Sequence, residues 1–459
     1  MKNIIRVFCI IILTTTIISC GQNSEQTNIP WTDITPKENL ESWETKGGDA
    51  PYKVENGVVI GSTVYNTPNT FLVSNENYDD FILELEFKVD STLNSGVQIR
   101  SNSFDYYQNG RVHGYQVEID PSDRAWSGGI YDEGRRKWLY NLKTNPEAQE
   151  AFKQNEWNSY RIEAIGDTIK TWINDVPAAY LVDEMTSTGF IGLQVHSIKR
   201  KKDAGKQAKW RNIKILTENL EKYSKDMSID PVITKNQLTI SESEQGWEML
   251  WDGETTEGWR GAKLDKFPEQ GWEIENGELT VLASGGKESA AGGDIVTEDV
   301  YSDFEFKLEF KITEGANSGV KYFVDTELNK GEGSAIGLEY QILDDKNHPD
   351  AKLGNHEGSR TLASLYDLIQ ANPDKPVNAI GEWNQLQIIS KGNEVKHWLN
   401  GMKVLEYERK TEEFRERVQN SKYADWLNFG EIDKGHLLLQ DHGNRVSFKN
   451  IKIKTPKDE

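Results

Sequence analysis

The chain contains two copies of the same sequence pattern. Residues 80–97 read DFILELEFKVDSTLNSGV, and residues 303–320 read DFEFKLEFKITEGANSGV. The triplet EWN at 156–158 recurs at 382–384, so the order of the motifs is the same in both halves. Because self-similarity of this kind is typical of a repeated structural unit, the sequence predicts two related domains in tandem.

The motifs also indicate where the domains begin and end. Each copy closes with the pattern Leu-Gln-x-His followed by Asn-Ile-Lys-Ile. We predict a first domain at 31–216, a linker at 217–245 that could be partly helical, and a second domain at 246–456. Two domains of roughly 200 residues each agree with the usual size of a domain.

Apolar and charged residues alternate in both copies, which predicts β-strands. The segment FEFKLEFKI at 304–312 is the clearest case, and FILELEFKV at 81–89 follows the same pattern. Successive side chains of a strand point to opposite faces, so one face of each predicted strand is buried. The fold class expected is all-β, with two jelly-roll β-sandwich domains in tandem. Short helices are predicted at 411–420 and around 361–370.

The charge of the chain limits its partners. The formal net charge is −21, which argues against nucleic acid as a partner, since a phosphate backbone binds basic surfaces. The sequence contains no Gly-rich nucleotide-binding turn, so no nucleotide cofactor is expected. The 14 Trp residues indicate a globular chain with a substantial core.

The first 20 residues are predicted to be a targeting segment. Lys2 and Arg6 precede a mostly apolar stretch that is too short to span a membrane comfortably. The segment ends in ISCG and resembles the lipobox of bacterial lipoproteins, which implies a signal peptide at 1–20 and a lipid on Cys20. The alternative is an ordinary secretory signal. We expect a cell-envelope lipoprotein, anchored in the outer membrane and facing the periplasm.

Polar side chains share one face on two predicted strands of each copy. If the sandwich places these strands side by side, the side chains converge in a polar cleft. For any one of them alone, a solvated strand position is the simpler interpretation. The second copy supplies Glu339, Gln341, Gln440 and His442, and the first copy supplies Gln116, Glu118, Gln194 and His196.

Both copies resemble the 3-keto-disaccharide hydrolase domain family. The resemblance rests on the NSGV turn, the strands GYQVE and GLEYQ, the EWN triplet and the LQxH motif. It implies a concanavalin A-like jelly roll in each copy. It also implies cleavage of the glycosidic bond of a 3-keto-glycoside, after a separate sugar 3-dehydrogenase has oxidised C3.

The implied chemistry defines which groups a site would need. A ketone at C3 makes the C2 proton acidic, so a base can remove it and the C1 substituent can leave. An acid must protonate the leaving oxygen, and a metal or hydrogen-bond donors must stabilise the enolate. The catalytic candidates are Glu339, Gln341, His442, Gln440, Glu118 and His196. The substrate-binding candidates are Arg124, Tyr131, Arg135, Arg136, Gln116, Gln194 and Tyr366.

Several features allow a second interpretation. Asp344, Asp345 and His348 lie in the loop DDKNHPDAK and could hold a divalent metal, or could form an acidic turn. The arginines could instead hold a surface loop through Arg–Asp pairs, and Trp126 and Trp138 could stack on a sugar or belong to the core.

Two other functions remain open for the whole chain. One is a carbohydrate-binding lipoprotein without catalysis, and the other is an ordinary glycosidase with paired carboxylates. The first copy could also bind carbohydrate without turnover, or the two copies could prefer different linkages.

Overall fold

The structure is a computed structural model that describes residues 29–287, 289, 291–328, 335–426 and 428–456. Cys20 and the predicted signal peptide lie outside the described residues, so the lipidation of Cys20 stays a prediction. Among the described residues, no helix is both long and apolar enough to cross a membrane.

The first copy is built from fifteen strands in the described part of the chain. One short helix, α1 (Pro146–Ala151), and one 3-10 turn, Lys201–Asp203, interrupt them. The strands are β1 (Thr32–Asp33), β2 (Trp43–Gly47), β3 (Tyr52–Glu55), β4 (Val58–Ser62), β5 (Thr70–Tyr78), β6 (Phe81–Val89), β7 (Ser95–Asn102), β8 (His113–Ile119), β9 (Ile130–Glu133), β10 (Lys137–Tyr140), β11 (Asn158–Ile165), β12 (Thr168–Ile173), β13 (Val176–Val182), β14 (Gly189–Val195) and β15 (Gln207–Leu216).

The segment between the copies is partly helical, as the sequence predicts. It contains α2 (Leu220–Tyr223), β16 (Val232–Ile233) and α3 (Ile240–Glu244). It does more than connect the domains, because β16 pairs in parallel with β13 and extends a sheet of the first copy.

The linker also contacts the second copy. The backbone N–H of Asn236 donates to Asn450 Oδ1 at 2.6 Å, and the backbone N–H of Asn450 donates to Asn236 Oδ1 at 2.8 Å. A direct ion pair joins the copies as well, with Glu184 Oε1 2.6 Å from the buried Lys449 Nζ.

The second copy repeats the architecture with thirteen strands among the described residues. A helix, α4 (Glu412–Gln419), confirms the helix predicted at 411–420, and a 3-10 turn covers Pro349–Lys352. The strands are β17 (Glu248–Met249), β18 (Trp259–Gly261), β19 (Trp272–Glu275), β20 (Glu278–Val281), β21 (Ile295–Thr297), β22 (Phe304–Ile312), β23 (Asn317–Asp325), β24 (Ile336–Leu343), β25 (Trp383–Lys391), β26 (Glu394–Leu399), β27 (Met402–Glu408), β28 (His436–Leu439) and β29 (Val446–Lys454).

Two sheets pack face to face in each copy. In the first copy, the order β16-β13-β12-β11-β6-β15-β4-β3, with β1 on β15, faces the order β10-β9-β8-β7-β14-β5-β2. In the second copy, the order β19-β20-β29-β22-β25-β26-β27, with β17 on β29, faces the order β18-β21-β28-β23-β24. The predicted all-β fold with two tandem β-sandwich domains is therefore confirmed.

The core of each sandwich lies between its two sheets. Phe87 and Trp210 face each other across β6 and β15, and Phe310 and Phe448 face each other across β22 and β29. All four rings are buried. Each such cross-strand aromatic pair contributes on the order of 0.2–1 kcal/mol beyond an Ala pair, so equivalent pairs support both copies.

The prediction of a helix around 361–370 is wrong. The segment forms turns with two isolated bridges, Tyr340 to Leu365 and Leu365 to Ile369. Its apolar residues, including Leu362 and Leu368, join the core cluster of the second copy. The segment is therefore a chain folded back on the edge of β24 and not a helix.

Candidate active site

The outer face of β24, β23 and the end of β28 forms the floor of a cavity in the second copy. The cavity has a volume of about 180 Å³. Lys321 pairs in register with Glu339, and Gly319 pairs with Gln341, so these positions lie side by side on one face. The opposite face of the same strands enters the core. The polar residues at the cavity are Asn317, Lys321, Glu339, Gln341, Tyr366, Lys422, Tyr423, Gln440 and His442.

The structure brings together five of the residues selected from the sequence. Both strand motifs converge because β28 pairs with β23, which in turn pairs with β24. The LQxH motif ends its strand at Leu439, and its Gln and His follow directly after the strand. The five residues that share the cavity are Glu339, Gln341, Gln440, His442 and Tyr366.

A glycine makes room for the carboxylate of Glu339. A Cβ atom at position 319 would overlap with Oε1 of Glu339, so the carboxylate lies directly over the bare backbone of Gly319. Glu339 itself is 5% exposed. The glycine of the NSGV motif therefore has a packing role beyond the turn, because any larger side chain would displace the acid.

The amide of Gln341 lines the cavity and has no hydrogen-bond partner for either of its polar atoms among the described residues. Its side chain is fully buried. A buried amide without partners costs on the order of 1–3 kcal/mol. A polar ligand in the cavity could supply both partners, so this amide marks a binding position.

Lys321 is a candidate that the sequence reasoning missed. It is 4% exposed, with Nζ 3.7 Å from Asp294 Oδ2 and 3.3 Å from the carbonyl oxygen of Ala335. A buried ammonium group is costly unless carboxylates compensate it, and Asp294 and the register partner Glu339 supply that charge. The sequence signal that could have identified it is its position two residues after the Gly of NSGV, because alternate residues of a strand lie on the same face.

His442 contacts the side chains of Asn317 and His348. Its Nε2 is 3.2 Å from Asn317 Nδ2, and its ring meets the ring of His348 edge-on at a centroid distance of 6.1 Å. Burial lowers the pKa of His348, against the opposing effect of Asp350 and Asp344. The neutral form of His348 therefore predominates at neutral pH.

An aromatic wall covers the sheet face. It comes from the 361–370 segment and from the long connection between β27 and β28. The Tyr366 hydroxyl donates to Asp350 Oδ2 at 2.8 Å, and Lys422 Nζ lies 4.2 Å from the centre of the Tyr366 ring. Tyr423 and Trp426 complete this wall.

The phenol of Tyr366 is close to the acid of the cavity. Burial raises the pKa of Tyr366, and the neighbouring carboxylates Glu339 and Asp350 raise it further. Tyr366 is therefore a neutral hydrogen-bond donor at physiological pH. It combines an apolar ring with a polar tip, a combination well suited to a sugar.

The three residues proposed as metal ligands do not form a common site. Asp344 Oδ2 accepts from the Gly315 N–H at 2.8 Å, and Asp345 Oδ1 accepts from the Leu362 N–H at 2.6 Å. His348 Nδ1 accepts from the Asp350 N–H at 3.2 Å. Each group thus organises its own turn. Within the described residues, no three His, Cys, Asp or Glu side chains are placed to hold one ion.

The first copy has a related floor without the Lys–Glu pair. Gln98 and Gln116 occupy the paired positions that Lys321 and Glu339 hold in the second copy. Gln98 Nε2 donates to Gln116 Oε1, and Gln116 Nε2 donates to Glu118 Oε2, both at 2.7 Å. The side chains of this row are therefore engaged with one another.

Glu118 is the acidic residue that was selected from the sequence as a catalytic candidate in the first copy. Burial raises its pKa to about 7, although hydrogen bonds from Asn94 and Gln116 favour the charged form. The Asn94 amide, which matches Asn317 of the second copy, donates to Glu118 Oε1 at 2.5 Å. The His196 ring contacts the carbonyl oxygen of its neighbour Ser197 at 2.8 Å. The Asn–His contact of the second copy is thus replaced by an Asn–Glu contact.

Two of the arginines selected from the sequence do not reach this face. Arg135 and Arg136 both pair with Asp132, at 2.7 and 2.6 Å, and Arg136 also binds Asp183 at 2.7 Å. Asp132 pairs with Tyr115, which lies in the core, so these ion pairs lie on the opposite side of the sheet. Strand alternation separates Asp132 from its neighbour Tyr131, so neither arginine shares the polar floor, and their role as substrate-binding residues stays a prediction.

Arg124 and Tyr131 do lie on the polar side. Tyr131 pairs with Gln116 across β9 and β8, and its ring meets Trp138 edge-on at 5.3 Å. The Arg124 guanidinium lies 4.6 Å from the centre of the Trp126 ring and pairs with Asp120 at 2.7 Å.

Comparison with known sequences identifies the domain. The profile of the 3-keto-alpha-glucoside-1,2-lyase-like domain family matches residues 30–216 and again residues 246–454. The chain belongs to this family. The two predicted copies are thus two domains of one family, and the resemblance stated from the motifs is confirmed.

Several known proteins are similar to parts of this chain. A Bacteroides thetaiotaomicron protein named 3-keto-disaccharide hydrolase is 35% identical over 252 residues, which cover 50% of this chain and 85% of that protein. A solved Parabacteroides distasonis protein, assigned provisionally to the glycosyl hydrolases, is 30% identical with a TM-score of 0.42, over 49% of this chain and all of that one.

A Bacillus subtilis carbohydrate-binding module is more distant. It is 18% identical with a TM-score of 0.29, over 38% of this chain and 93% of the module. The family match and the named relative together place this chain among glycoside hydrolase-like enzymes.

Proposed function

We propose that the second domain cleaves the glycosidic bond of 3-keto-glycosides. The observation that carries this proposal is the buried pair of Lys321 and Glu339, side by side on the floor of a polar cavity with an aromatic wall. A base beside a cation suits a reaction in which a proton leaves carbon while negative charge collects on a nearby oxygen. The name of the Bacteroides relative supports the same substrate class.

The first step is proton abstraction. The C3 ketone acidifies the C2 proton, and Glu339 takes that proton. The electron pair moves into an enolate, whose negative charge rests on the C3 oxygen. Lys321 is the cation of the cavity floor that can stabilise this oxygen, and the buried Gln341 amide can donate a hydrogen bond to the sugar.

The second step breaks the glycosidic bond. The enolate electrons form the C1–C2 double bond, and the C1–O bond breaks. His442, held beside Asn317, gives a proton to the departing oxygen, so an alcohol leaves and an unsaturated 3-keto sugar remains. Addition of water across C1 and C2 then gives the 3-keto sugar. The sum of the elimination and this hydration is hydrolysis of the glycosidic bond.

The cavity is less suited to an ordinary glycosidase. That reaction uses two carboxyl groups on either side of the scissile bond. Among the described residues at the cavity, Glu339 is the one carboxylate. The pairing of an acid with a lysine therefore favours the keto-sugar reaction over the carboxylate-pair reaction.

The location and the partner of the enzyme extend this proposal. A 3-keto substrate requires a separate sugar 3-dehydrogenase, since the sequence carries no nucleotide-binding turn of its own. We infer a lipid anchor on Cys20 and a position in the cell envelope, facing the periplasm. Replacement Cys20→Ser should move the protein from the membrane fraction to the soluble fraction, and unchanged membrane association would contradict the anchor.

The activity can be tested with a chromogenic 3-keto-glucoside and its unoxidised parent, on protein that begins after Cys20. We expect aglycone release from the keto substrate only, and a loss of about 10²–10⁴-fold in kcat for Glu339→Gln. A matched control is Gln116→Ala, at the same register in the first domain, which should keep full activity.

A chelator arm of the same assay decides whether a metal takes part, and loss of activity on chelation would show that one does. Release from the unoxidised parent would support an ordinary glycosidase instead. Binding without release from either substrate would support a carbohydrate-binding protein without catalysis.

A further inference from the structure

The first domain differs from the second in what lies next to the shared sheet floor. In the second domain, β24 ends the sheet, and the 409–435 connection supplies a cover that includes Lys422, Tyr423 and Trp426. In the first domain, the corresponding connection between β13 and β14 spans only 183–188, and the sheet continues through β9 and β10. The first domain therefore has a wider sheet and a shorter connection beside the shared floor.

The two extra strands carry aromatic side chains toward that floor. Trp138 of β10 pairs with Tyr131 of β9, Tyr131 pairs with Gln116 of β8, and Gln116 pairs with Gln98 of β7. Paired residues of neighbouring strands point to the same face, so these four side chains form one row across the sheet. Trp126 extends the row, because its ring meets Trp138 edge-on at a centroid distance of 4.7 Å.

The row has two chemically different ends. Trp126, Tyr131 and Trp138 are each partly exposed and form an apolar shelf. Gln98 and Gln116 form the polar end.

Charged side chains lie beside both ends of this row, and one of them, Lys143, has its Nζ 5.8 Å from the centre of the Trp126 ring. The Arg124 guanidinium stands over the shelf, 4.6 Å from Trp126 and 5.0 Å from Trp138. Glu118 adjoins the polar end and is near enough to Tyr131 to raise the pKa of that phenol, after burial and Glu133.

A further polar group of this domain lacks a partner. Gln194 is the Gln of the LQxH motif in the first domain, as Gln440 is in the second, and its side chain is fully buried. Its Nε2 and Oε1 have no hydrogen-bond partner among the described residues. The position is therefore polar and unsatisfied, as Gln341 is in the second domain.

We propose that the row Trp126–Trp138–Tyr131–Gln116 of the first domain is a carbohydrate-binding platform that binds unoxidised oligosaccharide without turning it over. A pyranose presents an apolar C–H face, which packs on aromatic rings, and hydroxyl groups, which bind amides and carboxyl groups. The Lys–Glu pair of the second domain is replaced here by Gln98 and Gln116, so the base and the cation are both missing from these two positions.

Other ligand classes fit the platform less well. An extended peptide binds a sheet by pairing with an unpaired edge strand. This row instead runs across the face of the sheet, from the edge strand β10 toward β14 in the interior. A polyanion would meet a chain with a net charge of −21. A neutral oligosaccharide has the apolar and polar groups in the required arrangement and carries no opposing charge.

The platform can be tested on the full chain from residue 21, with Lys321→Met present to prevent turnover. The probes are maltotetraose, cellotetraose and isomaltotetraose, with binding followed by saturation-transfer NMR and by Trp fluorescence. We expect binding of at least one probe, weakened at least tenfold by Trp138→Ala and by Tyr131→Ala. The matched control is Trp157→Ala, a partly exposed Trp near Arg211 at the other sheet, which should bind as before.

Two results would overturn the platform. One is no saturation transfer from any of the three probes. The other is equal transfer in the parent chain and in both Trp138→Ala and Tyr131→Ala. Thermal unfolding of each variant checks that the first domain remains folded, and Tyr131→Ala provides the second variant if Trp138→Ala unfolds. Because the probes are unoxidised and Lys321 is replaced, failure of this test leaves the 3-keto activity of the parent chain to be judged by its own assay.

Discussion

Lys321 and Glu339 face each other on the antiparallel strands β23 and β24, and both side chains are at most 5% exposed at the floor of one cavity. In the first domain, the same two positions hold Gln98 and Gln116, which bind each other at 2.7 Å. Tandem domains of one family thus differ at the centre of the floor, where the second domain has a charged pair and the first has two amides. This difference allows each prediction on the second domain to be controlled at the equivalent position of the first.

Replacing the buried lysine should lower the rate without unfolding the domain. Lys321→Met keeps the aliphatic length and removes the cation that we assign to the enolate oxygen. We expect kcat on a 3-keto-glucoside to fall by about 10²–10³-fold, the usual effect of removing one group that stabilises an oxyanion. Steady-state kinetics measures this change. Gln98→Met, at the same register, should keep kcat within about twofold, and an equal loss in both variants would contradict the assignment.

Adding a methyl group under the acid should separate activity from stability. In Gly319→Ala the new Cβ overlaps with the Glu339 carboxylate, and in Gly96→Ala it overlaps with the Gln116 side chain. Both changes overpack a strand and should cost about 1–3 kcal/mol of unfolding free energy. Only Gly319→Ala should also lower kcat/KM, by at least tenfold. Denaturation and kinetics on the two variants check this, and full activity in Gly319→Ala would show that the position of Glu339 does not matter.

Acid should destabilise the second domain through His397. Burial lowers its pKa to about 4, and its neutral ring bridges the Ala363 carbonyl at 2.9 Å and the Tyr322 hydroxyl at 2.8 Å. Since the folded pKa lies below the ordinary 6.5, the unfolded chain binds the proton more readily. The contribution is therefore complete above pH 6.5 and is lost as the pH falls toward 4.

The size of that loss follows from the shift. It amounts to about 3 kcal/mol between pH 6.5 and 4. Urea unfolding of the parent and of His397→Phe at several pH values should show that the variant loses less stability over this range. Parallel pH curves for the two proteins would contradict a buried neutral histidine.

Raising the pH from about 4.5 to 7 should destabilise the first domain through Glu118. Burial raises its pKa to about 7, from an ordinary 4.5, so the folded chain holds the proton more tightly than the unfolded chain. The associated stability is complete below pH 4.5 and falls as the pH rises to 7 and above, by up to about 3 kcal/mol. Unfolding of the parent should become easier over this range, and Glu118→Gln should remove most of the slope. A slope that survives in Glu118→Gln would assign it to another group.

The sequence was enough to determine the duplication, the all-β class and the family. Repeated motifs identify tandem domains without any coordinates, and a period of two identifies strands, because both signals are local in the chain. The parity of the motif strands also grouped Glu339 with Gln341 and Gln440 with His442 correctly. The residues at 361–370 were misassigned because this segment folds back on β24, and a local sequence pattern does not encode such a contact.

Only the tertiary structure could decide which residues share the cavity. Lys321 lies beside Glu339 because β23 pairs with β24. Lys422, Tyr423 and Trp426 belong to the connection between β27 and β28, which is distant from both strands in sequence. The same is true of Arg135 and Arg136, which adjoin Tyr131 in sequence but bind Asp132 and Asp183 on the other side of the sheet. Strand alternation and sheet register are long-range consequences of folding, so the membership of a site depends on pairings that the linear order of residues does not specify.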